Sequence, residues 1–442
     1  MSLPTERIYP VIASQVLSGE TNSRMPEIQL KYGRKSIPFS YDADRFEVLQ
    51  TAAESGALSD IELGARLDDP IDSARLEEIV EPGETVLFVV PDATRRTACG
   101  QVINLLVRRL IANGTAPHEM SVIFATGIHR AVTEVEKQDI LTPFIAQRIK
   151  TLDHSPRDLM HIMRVGETSG GIPVELNRAL GEHDHIVLIG GVTFHYFAGF
   201  TGGRKLVCPG LASAKTVSAT HKLAFDCEQK TRRDGVGTGR LDGNAVHEAF
   251  VEAASFTKPS FSANAIVNDK DQAVDLFCGD WITSHRAACD AYAESNTVTI
   301  PEKRDTVIVS CGGFPYDINL IQAHKALEAA SHACNDGGTI VLMAECPEGT
   351  GRGDFLNWFS AANSAALADR LCESYQVNGQ TAWSLLKKAE RFCVYAVTEL
   401  GDNEAHQLRL RKTDSNLLEE ISGAGKGYIL PSGAGVMIRM KF

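Results

Sequence analysis

The chain has 442 residues, of which 43% are hydrophobic and 23% charged, and its formal net charge is −12. This length predicts two or three domains, and the acidic balance argues against nucleic acid as a partner, because phosphate neutralisation needs a basic face. No apolar run approaches the roughly 18 residues that span a membrane and none near the start has signal-peptide length, so we expect a cytoplasmic protein without a membrane segment.

The ten cysteines are scattered along the chain and form no CxxC pair. Cys99, Cys278, Cys311 and Cys393 lie in or beside apolar runs, as buried free thiols do. This pattern favours a reducing compartment over a disulfide scaffold or a zinc ribbon.

Six short apolar runs, each followed by a turn rich in Gly, Pro, Asp or His, predict buried parallel strands, because helical stretches separate them. The runs are 85–95, 121–130, 185–195, 306–317, 339–349 and 392–397. Apolar residues at helical spacing predict helices at 98–114, 320–334 and 363–375.

This alternation predicts an α/β fold, with two α/β domains of largely parallel sheets and an active site in the cleft between them. We expect the first domain over residues 1–285 and the second over 295–424, since a charged, proline-containing link lies between them. The strand-like run at 425–442 is expected to return to the first domain.

Polar side chains follow three of the predicted strands. Asp92 and Arg95 come after the first strand, His129 and Arg130 after the second, and His195 after the third. The carboxyl ends of parallel strands form the ligand crevice of an open sheet, so these groups are expected to converge. Arg95 suits a carboxylate and His129 suits proton transfer. Taken singly, Asp92 also fits a helix N-cap or turn residue and His129 a structural loop histidine.

The stretch HYFAGFTGGRKLVCPG places Lys205 directly behind a glycine-rich loop. It is not a Walker phosphate loop, because Arg204 separates Lys205 from Gly202 and Gly203, and Leu206 stands where a hydroxyl is needed. The glycines indicate close approach of the backbone to something bulky. A lysine that is desolvated near other cations loses its proton, so Lys205 is a candidate for covalent attachment of a ligand.

His221 lies downstream, one or two turns into the next predicted helix, and is a candidate metal ligand. One histidine cannot complete a metal site. Either a cofactor on Lys205 brings the other ligands, or there is no metal.

These segments together resemble the nickel-dependent lactate racemase family. HYFAGFTGGRK, then PG and the histidine of TVSATH, match the family's signature, and DATRRT and ATGIHR match two upstream motifs. DINLIQAHKALEAA is similar to the segment that supplies a glutamine and a lysine to the substrate side. Five ordered motifs cover most of the chain, which is therefore identified as a member of this family.

The resemblance implies a nickel-pincer nucleotide, pyridinium-3-thioamide-5-thiocarboxylic acid mononucleotide, held by Lys205 through a thioamide. Nickel would be bound by one carbon and two sulfurs of the cofactor and by His221, a soft planar donor set that suits nickel(II). Proteins that synthesise the cofactor are then implied partners. Further contacts to the cofactor are implied for Asp92, Gly202, Gly203 and Arg204.

The resemblance also implies a racemase or epimerase of a 2-hydroxy acid. One imidazole, His129 or His195, would take the hydroxyl proton while the C2 hydride moves to the cofactor, and return to the opposite face of the planar 2-keto acid inverts the centre. Substrate contacts are implied for Arg95 and Lys325, as a carboxylate clamp, and for Gln322, Ile321 and Trp383. Trp383 equally fits an ordinary core tryptophan.

The departures from the family pattern concern the substrate. Ile321 stands where the lactate enzymes tend to carry a tyrosine, which points to a 2-hydroxy acid other than lactate. Ala93 replaces a histidine, and Arg204 a small residue; Arg204 could bind the nucleotide phosphate or a second anionic group of the substrate. Two alternatives stay open: a Lys205 Schiff-base enzyme, pyridoxal-phosphate-dependent or aldolase-like, and a non-catalytic protein that binds an acidic metabolite. The oligomeric state is not predicted.

Overall fold

The computed structural model describes residues 25–51, 56–95, 97–414 and 425–441. Its strands, in chain order, are β1 (Glu27–Tyr32), β2 (Lys35–Ser40), β3 (Phe46–Val48), β4 (Val86–Pro91), β5 (Met120–Ala125), β6 (Lys150–Leu152), β7 (Ile162–Glu167), β8 (Pro173–Asn177), β9 (His185–Gly191), β10 (Phe194–His195), β11 (Gly199–Phe200), β12 (Phe225–Asp226), β13 (Thr231–Arg232), β14 (Phe261–Val267), β15 (Ala273–Gly279), β16 (Thr297–Ile300), β17 (Arg304–Ser310), β18 (Cys334–Met343), β19 (Cys393–Val397), β20 (Arg411–Thr413), β21 (Gly427–Leu430) and β22 (Met437–Met440).

The α-helices alternate with these strands. They are α1 (Asp60–Asp68), α2 (Leu76–Ile79), α3 (Cys99–Ala112), α4 (Glu134–Arg148), α5 (Ala214–Lys222), α6 (Ala245–Ser255), α7 (Thr283–Asn296), α8 (Leu320–Ala333), α9 (Ser364–Glu373), α10 (Val377–Arg391) and α11 (Asp402–Gln407). Within the described ranges, none of the helices has the length and apolarity needed to cross a bilayer. The predicted helices correspond to α3, α8 and α9, and the six predicted strands to β4, β5, β9, β17, β18 and β19.

The first sheet has the strand order β15-β14-β9-β4-β5-β6. All its pairs are parallel except the edge hairpin β14–β15. Every residue of β4 is buried, as expected for a strand covered on both faces. Its alternate residues Val86, Phe88 and Val90 pack against α3. Leu87 and Val89 pack on the other face, against the segment that carries the glycine-rich loop.

The second sheet has the order β20-β19-β18-β17-β21-β3, and its five pairs are parallel. Helix α8 covers one face, where Val307 and Val309 pack with Ala323 and Leu327. The β1–β2 hairpin covers the other face. The site segments therefore lie on two sheets, the glycine-rich loop on the first and α8 on the second.

The last strands pair outside the first sheet. β21 lies between β17 and β3 of the second sheet, and β22 pairs with β16 in a separate two-stranded sheet. Met437 of β22 packs with Phe194 and Phe200, so the return of the run at 425–442 to the first domain stays a prediction. β3 also lies in the second sheet, although it precedes every strand of the first. The boundary between residues 285 and 295 stays a prediction, and residues 1–24, 52–55, 96, 415–424 and 442 of the predicted units lie outside the described residues.

Cys227 and Cys372 form a disulfide across a sequence separation of 145, which the scattered cysteine pattern did not predict. Cys227 follows β12, close to the end of α5, and Cys372 lies in α9. The other eight cysteines are free, and seven of them, including Cys99, Cys278 and Cys311, are buried as expected. The disulfide thus ties the segment after α5 to the helical layer of the second sheet.

Candidate active site

Asp92 and His129 meet at the carboxyl ends of β4 and β5. The two strands are parallel neighbours, with Pro91 opposite Ala125, so the residues that follow them emerge side by side. The Nδ1 atom of His129 lies 2.7 Å from Oδ2 of Asp92. Because a carboxylate only accepts, Nδ1 carries the hydrogen, and Nε2 of His129 is left with its lone pair in the neutral ring.

Burial by itself would raise the pKa of Asp92, but the hydrogen bond and charge of His129, with the charge of Arg95, lower it to about 2. Asp92 also accepts hydrogen bonds from the backbone and hydroxyl of Thr94. The N-cap interpretation is wrong, since Ala98 caps α3, and the turn interpretation is correct. Asp92 therefore stays ionised and orients His129.

His195 is set differently. It is 7% exposed, and its Nδ1 accepts a hydrogen bond of 3.2 Å from the backbone N–H of Ala198. Burial, followed by the positive charges of Lys205 and Lys325, lowers its pKa well below the ordinary value. The ring is therefore neutral, and its one hydrogen lies on Nε2.

Lys205 lies in a short 3-10 helix, Gly203–Leu206. Its Nζ is 5.7 Å from the ring centre of Phe197 and 5.4 Å from that of Phe250. Burial, and then the positive charges of Arg95 and Arg204, lower the pKa of the amine well below its ordinary value. The lowered pKa favours the neutral, nucleophilic form of the amine, which suits an attachment point.

His221 reaches the same two rings from α5. Its ring centre is 5.1 Å from that of Phe197 and 5.4 Å from that of Phe250. Nδ1 donates to the carbonyl of Val217 at 2.8 Å, which leaves the Nε2 lone pair free. Burial, and then the charge of Lys205, lower the pKa of His221 to about 3, so the imidazole is in the neutral form that binds metals.

No cluster of three or more His, Cys, Asp or Glu side chains able to hold a metal occurs in the part of the chain that the structure describes. The donor set at His221 is a single neutral imidazole, against the same two rings as the Lys205 amine. This fits a cofactor that is attached at Lys205 and brings the remaining metal ligands itself.

Gln322 and Lys325 project from the first turns of α8. Asn319 caps this helix by accepting from the backbone N–H of Gln322 at 3.1 Å. The Nζ of Lys325 donates to Oε1 of Gln322 at 2.6 Å. Burial, and then the charge of Arg95, lower the pKa of Lys325 well below its ordinary value. Residues predicted from separate motifs therefore act on one another electrostatically.

Ile321 and Trp383 pack with the core of the second sheet. Ile321 is partly buried against this core, and Trp383 is 5% exposed within it. The Trp383 ring makes an edge contact with Phe225 at 4.9 Å. This position fits the core interpretation of Trp383.

Gly202 and Gly203 do not leave open space. Both have positive φ, +76° and +49°. A Cβ on Gly203 would lie 2.6 Å from the ring of His285, and one on Gly202 would lie 3.1 Å from the carbonyl oxygen of Gly191. The glycines are required by the turn and by packing against the chain itself.

A buried charged cluster behind the site was not predicted. Glu328, one turn beyond Lys325 on α8, accepts from Arg232 at 2.7 Å and pairs with Lys388 at 2.5 Å. Arg232 lies in β13, so the cluster joins the segment after α5 to α8.

The comparisons with known proteins identify the family. The lactate racemase N-terminal domain model matches residues 32–232, and the lactate racemase C-terminal domain model matches residues 300–396. The chain belongs to the lactate racemase family. It is therefore an isomerase of the racemase type.

Individual relatives agree. The chain is 29% identical to the lactate racemase of Thermoanaerobacterium thermosaccharolyticum over 339 residues, 76% of this chain and 78% of that protein. It is 28% identical to the lactate racemase of Lactiplantibacillus plantarum over 432 residues, 94% of this chain and all of that protein.

Solved structures support the architecture. The lactate racemase apoprotein from T. thermosaccharolyticum aligns with a TM-score of 0.84 at 25% identity, over 94% of this chain and 100% of that one. A protein from Thermotoga maritima aligns at 0.68 with 19% identity, over 88% of this chain and 100% of that one, and shows the fold alone. The prediction of two α/β domains with largely parallel sheets is confirmed.

Proposed function

We propose that this racemase inverts the C2 centre of a 2-hydroxy acid. It would use a nickel-pincer nucleotide that is tethered to Lys205 and whose nickel is bound by His221. One observation carries the proposal: the amine of Lys205 and the imidazole of His221 both lie against the rings of Phe197 and Phe250, and burial lowers the pKa of each. When bound, the cofactor supplies reversible acceptance of the C2 hydride.

The two remaining histidines handle the hydroxyl proton. Nε2 of His129 carries the lone pair and is set to accept it, with Asp92 stabilising the positive ring that results. Nε2 of His195 carries hydrogen and is set to hydrogen-bond the substrate oxygen. A racemase needs a proton acceptor for each enantiomer, so His195 must give up its contact with the Ala198 amide when it serves as the base.

Arg95 and Lys325 bind the substrate carboxylate. Arg95 supplies the positive charge, and Lys325, whose pKa is lowered by burial and by the charge of Arg95, donates through its amine hydrogens. Gln322 holds the Lys325 amine at 2.6 Å and so fixes its direction. Because Arg95 follows a strand of the first sheet and Lys325 lies on the second, we place the substrate in the cleft between the two domains.

The substrate is a 2-hydroxy acid with a side chain larger than that of lactate. Ile321 immediately precedes Gln322 and offers an apolar surface without a hydroxyl. Longer aliphatic, aromatic and sugar acids belong in the test panel beside lactate. The cytoplasmic location stays a prediction, as does the dependence on proteins that make the cofactor.

The deciding experiment measures the intact mass and nickel content of the protein after co-expression with cofactor-synthesis proteins. We expect a nucleotide-sized adduct and one nickel per chain in the wild type, and no adduct in Lys205→Ala. Lys215→Ala is the matched control, because this lysine is 68% exposed and lies outside the site.

The Schiff-base alternative gives the opposite result. A neutral Lys205 amine would also form an imine, so borohydride treatment is run in parallel. A reduced imine on Lys205 without nickel would refute the nickel proposal. Loss of optical activity across the acid panel then separates an enzyme from a binding protein.

A further inference from the structure

A small pocket of mixed polar and apolar lining lies behind the glycine-rich loop, between α6 and α7. Its volume is about 80 Å³, and its lining includes four cationic or titratable side chains beside Trp281 and Val251. We call it the Arg204 pocket; the four side chains are Arg204, His247, His285 and Arg286.

Arg204 is a buried cation without a carboxylate partner among the described residues. It is 1% exposed, and its Nη2 donates to the carbonyl of Ala198 at 2.7 Å. Its Nε is buried and has no hydrogen-bond partner. Burial lowers its pKa to about 10, so the guanidinium is still charged near neutral pH. An isolated buried charge is costly unless an opposite charge joins it.

His285 does not satisfy Arg204. Its Nε2 lies 2.8 Å from the carbonyl oxygen of Thr201 and 3.0 Å from Nη1 of Arg204. A carbonyl only accepts, so Nε2 of His285 carries hydrogen and cannot also accept from Arg204. Nη1 is then left with one long contact of 3.4 Å, to the carbonyl of Gly202.

The opposite wall adds a further unpaired group. Nδ1 of His247 is buried without a partner. His247 and His285 lie in the first turns of α6 and α7, where the helix dipole favours negative charge. The first amides of these helices are already capped by Asn244 and Asp280. The side chains, rather than the backbone, are left to bind a ligand.

We propose that the Arg204 pocket binds a small oxyanion of the size of phosphate or sulfate, at a site separate from Lys205. The pocket is too small for a nucleotide. Arg204 contacts the carbonyl of Ala198 and the ring of His285. Lys205 instead lies against Phe197 and Phe250, so the two consecutive side chains lie in different surroundings. The proposal does not depend on which substrate the racemase uses.

Protons are taken up when the anion binds. Burial and the charges of Arg204 and Arg286 lower the pKa of His247 to about 3, with Asp242 opposing. A bound anion counters these cations and raises that pKa. The other facing groups are His285 and Cys289, both buried beside Arg204, and the Asp242 partner of Arg286.

The test is calorimetric titration of the full chain, without cofactor, with sodium phosphate and with sodium sulfate at constant ionic strength. We expect one site per chain and proton uptake, seen when the titration is repeated in buffers of different ionisation enthalpy. Arg204→Gln and His247→Gln should each weaken binding at least about tenfold, since each removes a hydrogen bond to a charged group. Lys215→Gln should leave it unchanged.

Several results would overturn the proposal. They are no binding at tens of millimolar anion, unaltered binding by His247→Gln, and loss of phosphate binding once Lys205 carries its nucleotide. The last result would assign the pocket to the phosphate of the tethered cofactor. His247→Gln carries the test if Arg204→Gln does not fold, because His247 is only partly buried.

Discussion

The two histidines proposed to move protons stand in opposite surroundings. His129 follows a strand, is 43% exposed at its side chain and donates to a carboxylate. His195 belongs to the glycine-rich segment, is 7% exposed, accepts from a backbone amide and lies near cations and the rings of Tyr196 and Phe197. One ring donates to a carboxylate, and the other is buried and neutral.

This difference separates two ways in which a fold sets a proton position. Around His129 the charge of Asp92 fixes both the tautomer and the electrostatics. Around His195 the backbone amide of Ala198 fixes the tautomer, and burial with nearby cations keeps the ring neutral. A symmetric reaction is therefore carried by two unlike groups.

Removing either imidazole should have the largest effect. His129→Gln and His195→Gln are each expected to lower kcat by about 10²- to 10⁴-fold, because each deletes a positioned acid–base group. Nickel content measured on the same samples should not change. The exposed His118→Gln is the control, and loss of nickel from His195→Gln would contradict its assignment to proton transfer.

Asp92→Asn tests the role of the carboxylate that accepts from His129. An amide cannot fix the Nδ1–H tautomer of His129 in the same way, so kcat should fall on the order of 100-fold while KM changes less. Steady-state kinetics over pH measures this effect. Partial recovery in Asp92→Glu is expected; full activity in Asp92→Asn would show that the carboxylate has no role in orienting His129.

The same carboxylate makes stability depend on pH. The pKa of Asp92 falls from 3.8 to about 2 on folding, so its contribution is fully present above pH 3.8 and is lost as the pH falls through 2. Relative to Asp92→Asn, the wild type should lose about 2 kcal/mol of unfolding free energy over this window. Urea unfolding at pH 5, 3 and 2 measures it, with Asp44→Asn as an exposed control; parallel curves for wild type and Asp92→Asn would exclude the effect.

The finest test reads the tautomers directly. Nitrogen-15 chemical shifts of labelled imidazoles should show hydrogen on Nδ1 of His129 and on Nε2 of His195 near neutral pH. The variants His129→Gln and His195→Gln assign the signals. The same tautomer in both rings would remove the distinction between the two regions.

Much of this arrangement could be predicted from local sequence. Apolar runs between helical stretches predicted the strands β4, β5 and β9. A parallel strand that is buried on both faces has a short, continuous run of apolar residues. The convergence of Asp92 and His129 followed from their positions after neighbouring strands. Lys205 was predicted as a desolvated amine from the glycines and cations beside it.

The rest depends on contacts between distant segments. The partner of Cys227 lies 145 residues away, and nothing in the spacing marks it. β21 is a strand of four residues, and its sequence fits the edge of either parallel sheet. The sheet to which it belongs could therefore not be predicted from its sequence. The Arg204 pocket required α6 and α7 to be placed against the loop before its unpaired nitrogens could be recognised.

The position of β3 has a consequence for synthesis. All six strands of the first sheet lie between Val86 and Gly279, so they are made before β17 to β21 of the second sheet. β3 lies at Phe46–Val48, but its neighbour β21 spans Gly427–Leu430 and is made after every other strand of that sheet. Domains fold as units during translation. The first domain can therefore fold during translation. The second sheet cannot be completed until β21 has been made, and β3 stays unpaired until then.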